Sequence, residues 1–509
     1  MSDWSAGYVT DIAYIYGVYR ELVPAVLNFA VHGAGFVAPE MDSSLTYCEL
    51  GCGQGFSVNL LAAANPRIDF HATDFNPTHI AGARSLAAAA ELSNIHFYDR
   101  SFADFGAEPG LPEFDFITLH GIYSWISAEN RRHIIDFIDK KLKIGGIVYI
   151  SYNALPGWAP ILPLRHLIDG SENGASTSTM GRVEHTIAYL EKLAAVSPTY
   201  FRLHPGVTDA IERIKNHNRN YVAHEYFNRH LQPFYHREVA ADLAEAKLTY
   251  VGSANLTDNL TVANLTAPQQ AFLSGITNAS ERETLRDFIV NQRFRRDIFI
   301  KGALPLQPED AMRIWDKQRF VLTTRREDVS LKIAGAAGEA TLKEEVYSPL
   351  LDALEKGPTT TAELLADEGI AAVGRPSLVQ ALTVLVSMNH LQPALDAVGE
   401  RDRAVSVDRF NDAVMRNARS NGQLQHLASP VTGSGVGVER IPQLFLAARR
   451  EGHQDPPAFA WEKLSRAGHR VTRDGKPLET PEENIAELRE LFQRFSNRQL
   501  LILQSAGIA

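Results

Sequence analysis

The chain has 509 residues, 45% hydrophobic and 22% charged, with a net charge of −10. That length predicts about three domains rather than one core, the globular balance excludes disordered and fibrous classes, and the acidic total argues against a nucleic-acid-binding protein, which needs a basic face. Two cysteines, Cys48 and Cys52, cannot complete a structural zinc site, and with neither a leader at Met1-Ser2-Asp3-Trp4 nor a run of about 18 apolar residues, no membrane span and a reducing cytoplasm are expected.

Residues 1–44 read as a helical, lid-like leader. From 45 to 169, strand and helix signals alternate. Strands are predicted over 46–50, 70–74, 95–98, 114–120 and 146–152. Helices are predicted over 56–64, 78–92 and 129–142, the last with Ile134, Ile135, Phe137, Ile138 and Leu142 at helical spacing. Alternation on this scale specifies an α/β class, a doubly wound, Rossmann-like sheet whose ligands sit beyond the carboxyl ends of the strands. Residues 51–55, Asp74, Ser101-Phe102, His120 to Trp125 and Tyr152 to Trp158 fall just past such ends. The arginine clusters Arg131-Arg132, Arg293-Phe294-Arg295-Arg296 and Arg325-Arg326 read as solvated helix faces.

The run Glu49-Leu50-Gly51-Cys52-Gly53-Gln54-Gly55 follows the first strand and opens a helix. Alternate glycines let the backbone turn tightly and approach a ligand, while the helix N-terminus offers free N–H groups. Asp74 follows about 20 residues later at the end of the second strand, where a carboxylate accepts ribose hydroxyls. The dinucleotide fingerprint is G-x-G-x-x-G, but here the spacing is G-x-G-x-G and Phe56 stands where helix–sheet packing is made. NAD is the alternative cofactor, and a P-loop is excluded because no Gly-Lys-Ser/Thr follows. The run, with its acid two residues before the first glycine, resembles motif I of class I S-adenosylmethionine-dependent methyltransferases.

Further stretches carry a more specific resemblance. Residues 7–14 (Gly-Tyr-Val-Thr-Asp-Ile-Ala-Tyr), Asp74-Phe75-Asn76-Pro77, His120-Gly121-Ile122-Tyr123-Ser124-Trp125 and Ser151-Tyr152-Asn153-Ala154-Leu155-Pro156-Gly157-Trp158 resemble bacterial methyltransferases with a methyltransferase regulatory domain. Tyr221-Val222-Ala223-His224-Glu225-Tyr226, Pro233-Phe234-Tyr235 and Leu248-Thr249-Tyr250-Val251-Gly252 resemble that domain itself. The family includes protein-lysine methyltransferases of rickettsial outer membrane proteins. The resemblance implies S-adenosylmethionine as methyl donor, with Glu49 and Gly51, Gly53, Gln54 and Gly55 at its methionine part and Asp74 at its ribose. Phe75, Ser101 and Phe102 are expected near the adenine and Tyr14 as a cover. Ser101 replaces the acid many relatives carry there, and Asp104 reads as a surface carboxylate. It also implies a protein substrate with lysine as acceptor.

In-line transfer from a sulfonium needs positioning and exclusion of water; no metal is expected. On the acceptor side stand His120, Tyr123, Trp125, Tyr152, Asn153 and Trp158, since ring faces attract ammonium groups; packing against the next domain is the competing role for the aromatics. His120 contacts the donor, takes a proton or satisfies local hydrogen bonds. His217, His224, His230 and His236 do not form a metal set, because His224-Glu225 is followed by histidine only at 230.

Residues 170–179 read as a turn-rich linker, 170–330 as a mixed regulatory or dimerisation region, and the Asn/Thr-rich 255–266 as an irregular edge or loop. Residues 331–425 read as winged-helix-like, three helices and a strand. The third helix, at 377–386, carries no base, which favours packing, in a homodimer or in substrate docking, over DNA reading. Residues 426–509 read as a helical cap. The alternative to an enzyme that methylates protein lysine is a cofactor-binding scaffold, or an enzyme acting on a small molecule.

Overall fold

The computed structural model describes residues 7–12, 14–41, 43–170 and 178–509. Most of the expected linker, residues 171–177, and the opening Met1 to Trp4 lie outside the described residues. A seven-stranded sheet organises the catalytic part. Its strands are β1 (Leu45–Leu50), β2 (Ile68–Asp74), β3 (Ile95–Asp99), β4 (Phe114–Leu119), β5 (Leu142–Asn153), β6 (Leu248–Ser253) and β7 (Phe294–Lys301), in the order β3-β2-β1-β4-β5-β7-β6. β1 to β5 run parallel, and β7 is antiparallel to both β5 and β6. Chain order reverses between β1 and β4, the switch point at which such sheets open a ligand crevice.

The helices are α1 (Pro24–Gly33), α2 (Phe56–Ala64), α3 (Pro77–Ala89), α4 (Phe102–Gly106) and α5 (Ala128–Lys141). Their starts are chemically marked: Asn76 accepts from the Thr78 amide, Ser101 from the Asp104 amide and Ser127 from the Asn130 amide. Such caps satisfy N–H groups the helix leaves free. α5 buries Ile134, Ile135, Phe137 and Ile138, each worth roughly 1.5–3 kcal/mol.

β5 is longer than the predicted 146–152. β7 pairs with it from Ile147↔Ile300 to Asn153↔Phe294, so the ladder takes in Asn153, one residue past the predicted strand end at Tyr152. β6 and β7 lie in the segment expected to be regulatory, so one sheet crosses the predicted boundary at 169/170. The arginines at 293–296, expected on a solvated helix face, sit instead at the start of β7, and Arg295 is only 3% exposed. Its guanidinium meets Asp297 at 2.9 Å, Asp287 at 2.6 Å and Glu283 at 3.1 Å. Three acids around one base make burial of the charge tolerable.

Residues 255–266 form two helical turns, Leu256–Asn259 and Thr261–Asn264, rather than an irregular loop. Their asparagines bond backbone carbonyls, Asn259 to Ser253 and Asn264 to Thr257. Beyond them, the strand Arg319–Leu322 pairs with Thr359–Thr360 and Leu391–Ala394, so this unit starts before residue 331. Its helix Arg375–Ser387 buries Leu378, Ala381, Leu382 and Leu385. α2 is buried on all faces, because the helix Glu400–Ala418 and the hairpin His426–Ser429/Ser434–Gly437 cover its outer side. Phe56 stacks on Phe410 with centroids 6.1 Å apart, and Asn65 donates to the Gly433 carbonyl at 2.8 Å.

Candidate active site

A cleft opens beyond the carboxyl ends of β1, β2 and β4. Its wall begins with the turn after β1, where Gly51, Gly53 and Gly55 have φ of 76°, 53° and 66°. Only glycine adopts this region at no steric cost. Space adds to this at two of the three: a Cβ at Gly55 would fall 2.5 Å from the Ala83 Cβ, and one at Gly51 would fall 2.5 Å from the end of the Ile122 side chain, which would have to shift. At Gly53 the nearest atom is Tyr14 Cδ1 at 3.8 Å, so this glycine presents bare backbone to the cleft. The Gly51 and Cys52 amides donate to the Thr73 carbonyl at 2.8 and 3.0 Å, locking the turn to the end of β2.

Asp74, 8% exposed, stands opposite. Its Oδ2 accepts from the Gly53 amide at 2.9 Å, and its Oδ1 from the Asn76 amide at 2.9 Å with His79 Nδ1 at 3.3 Å. A carboxylate has about four acceptor positions, so capacity remains for a ligand hydroxyl. Glu49 is 4% exposed and its Oε2 is buried without a hydrogen-bond partner. Burial, then the Asp74 charge, pushes its carboxyl up to about 8. A buried, unpaired carboxylate oxygen in a cleft wall invites a cationic ligand group.

The leader crosses the mouth. The Gly7 carbonyl accepts from the Arg229 amide at 2.8 Å, the Val9 amide donates to Asn228 at 2.9 Å, and the Ile12 carbonyl meets His224 Nε2 at 3.0 Å. Gln54 donates to the Tyr14 carbonyl at 3.3 Å. These contacts hold Tyr8, Tyr14 and Tyr19 in the cleft lining. Tyr8 meets Phe75 edge-on at 5.8 Å, and Tyr19 stacks on His120 at 3.8 Å. His120 Nδ1 and the Tyr149 hydroxyl share a hydrogen bond of 2.8 Å. Burial, then the charge of Arg296, lowers the imidazole to about 3, so it is neutral at physiological pH.

Every residue predicted at the donor lines this cleft: Glu49, Gly51, Gly53, Gln54, Gly55, Asp74, Phe75, Ser101, Phe102, His120 and Tyr14. Asp104 is exposed and accepts from the Ser101 hydroxyl at 2.7 Å. On the acceptor side, His120 and Trp125 line the cleft; Tyr123, Tyr152, Asn153 and Trp158 do not. Tyr123 donates to Asp242 at 2.7 Å, and Tyr152 to Asp297 at 2.6 Å within the Arg295 network. The Asn153 amide donates to Ser124 Oγ at 2.9 Å, while Trp158 packs in a separate apolar cluster with Ile161, Leu164 and Phe201. Tyr123 and Tyr152 are turned instead to acids of neighbouring elements, Asp242 and Asp297, and Trp158 to its own apolar cluster. Tyr8, Tyr19 and His79 line the cleft but were not singled out from sequence. His79, two residues into α3 from Asp74-Phe75-Asn76-Pro77, had a local signal in its helical position; the two tyrosines depend on the path of the leader.

With this geometry, comparison with other proteins is specific. The family model of a methyltransferase domain matches residues 41–217, and that of a predicted methyltransferase regulatory domain matches 218–301. An uncharacterised protein of Synechocystis sp. is 41% identical over 506 residues, 99% of this chain and 100% of its own. One of Rickettsia prowazekii is 26% identical over 276 residues, 53% of this chain and 48% of its own. The structure of PKMT2 from Rickettsia typhi in complex with AdoHcy has a TM-score of 0.70 at 18% identity, covering 95% of this chain and 98% of that one. The chain belongs to the class I S-adenosylmethionine-dependent methyltransferases that carry a methyltransferase regulatory domain. It is a methyltransferase whose methyl donor is S-adenosylmethionine.

Proposed function

We propose that the enzyme methylates lysine side chains of protein substrates, with the donor held across the glycine turn. The donor supplies a methyl group already activated on a sulfonium. In this reading the Glu49 carboxylate receives the donor's ammonium, the Gly51–Gly55 backbone lies along its methionine part and Asp74 accepts from its ribose hydroxyls. Phe75 and Phe102 flank the base. The leader closes over the cleft and excludes water, leaving in-line positioning to lower the barrier.

The observation that carries the amine reading is the set of rings, Tyr8, Tyr14, Tyr19 and Trp125, lining the cleft. Ring faces suit an ammonium better than a neutral or anionic acceptor. Rickettsia typhi PKMT2, a lysine methyltransferase of the same fold, supports it. The test is mass spectrometry of peptides from cells with and without the protein. Methylated lysines that vanish in its absence, and are restored by purified enzyme with labelled donor, are the expected result. Label confined to small molecules, or to another side chain, would overturn the reading.

A further inference from the structure

One edge of the sheet holds a cluster of side chains that the donor cleft does not use. β3 is the edge strand and pairs in parallel with β2, His71 standing directly opposite His96. Asp69 lies two residues before His71, and alternate residues of a strand share one face, so the carboxylate and both imidazoles project to the same side. Asp69 Oδ2 meets His71 Nε2 at 3.1 Å, and its Oδ1 meets His96 Nε2 at 3.1 Å. The two rings lie 4.8 Å apart, centroid to centroid, and one ligand atom from each of the three residues falls within 4.8 Å of the others. Two imidazoles from neighbouring strands thus converge on a single carboxylate.

We propose that Asp69, His71 and His96 bind a divalent transition-metal ion of the zinc class, at a site separate from the methyl-transfer cleft. Imidazole nitrogens and a carboxylate oxygen are donors that such ions take. Around a tetrahedral ion with bonds of about 2.0–2.1 Å, neighbouring ligand atoms stand about 3.3 Å apart, close to the two separations of 3.1 Å already present. His71 is 6% exposed and packs against Phe114, ring centroids 5.4 Å apart, so one ligand is fixed by its surroundings. The side chains of Asp69 and His96 are about half exposed, which lets His96 turn inward and gives the ion an entry path and a water ligand.

A partner behind the site supports it. His71 Nδ1 and the Tyr98 hydroxyl share a hydrogen bond of 3.0 Å. A hydroxyl both donates and accepts, so it serves either tautomer of the ring. Without an ion, Nε2–H donates to Asp69 and Nδ1 accepts from Tyr98; with one, Nε2 offers its lone pair to the metal and Nδ1–H donates to Tyr98. Histidines that ligate metals almost always have such an outer partner. The two strands that the ion joins run on to the donor cleft, β2 to Asp74 and β3 to Ser101-Phe102. His71 stands three residues before Asp74, about 10 Å along a strand, so the ion clasps the sheet edge short of the cleft and does not touch the donor.

Untagged full-length protein, stripped with a chelator, is titrated with zinc chloride by calorimetry, and its thermal unfolding is followed with and without zinc. The wild type is expected to bind one zinc per chain and to unfold at a higher temperature in its presence. His96→Gln and Asp69→Asn, both at half-exposed positions, should keep the wild-type circular dichroism and weaken zinc binding by about 100-fold, and Tyr98→Phe by about tenfold. His96→Gln should also abolish the zinc-dependent rise in unfolding temperature, while binding S-adenosylhomocysteine within twofold of wild type. Wild-type protein that binds no zinc saturably would overturn the proposal and leave Asp69 as a carboxylate hydrogen-bonded to two imidazoles. Zinc binding that stays within threefold of wild type in His96→Gln and Asp69→Asn would put the ion elsewhere on the chain and overturn it equally.

Discussion

At the scale of single residues, the cleft is governed by what burial does to carboxylates. Glu49 and Asp74 face one ligand site from two strand ends; both Asp74 oxygens are engaged by the protein, whereas Glu49 Oε2 has no partner among the described residues. Glu49 carries the penalty, its carboxyl raised to about 8 by desolvation and then by Asp74. A ligand ammonium favours the ionised form, so binding below that value releases a proton. S-adenosylhomocysteine affinity is therefore expected to strengthen between about pH 6 and 8, by up to about tenfold per unit. Glu49→Gln should flatten that slope and weaken binding by about 1.5–3 kcal/mol. Calorimetry in buffers of different ionisation enthalpy reads both, and a wild-type affinity independent of pH would remove Glu49 from the ammonium site. The residues of this wall were legible in the sequence because their constraints are local: an acid two positions before the first glycine, three alternate glycines, and an acid at the end of the next strand.

Among the elements, β7 reshapes what precedes it. Read as sequence, its arginines form a charge run; in the sheet, Arg295 sits between β5 and β6 and gathers Asp287, Asp297 and Glu283. Burial alone would raise Asp297, but the Arg295 charge and the His236 bond prevail and hold it at about 2. Arg295→Ala leaves these acids buried without their base, and is expected to destabilise the protein by about 3–5 kcal/mol in chemical denaturation. A loss under 1 kcal/mol would mean that water reaches the network. The same strand supplies Asp297, to which the Tyr152 hydroxyl is turned rather than to the cleft. Period-two alternation identified β5 to within one residue of its carboxyl end, but its pairing with a strand more than 140 residues away is encoded by no local pattern.

Over the whole molecule, the C-terminal part is a structural cover for the catalytic sheet. α2, which begins at the third glycine of the turn, is enclosed by Glu400–Ala418 and the hairpin after it. Phe410→Ala is expected to cost about 3–5 kcal/mol in thermal or denaturant unfolding, and to weaken donor binding only through the unfolded fraction; an unchanged midpoint would show that α2 does not depend on this contact. Sequence by itself determined the class of sheet, the glycine turn and the donor-facing acids, because strand periodicity, positive-φ glycines and strand-end carboxylates act over a few residues. Tertiary structure alone decided which aromatics reach the cleft and how the sheet is completed, because those depend on antiparallel pairing and on a leader folding back across segments far apart in the chain.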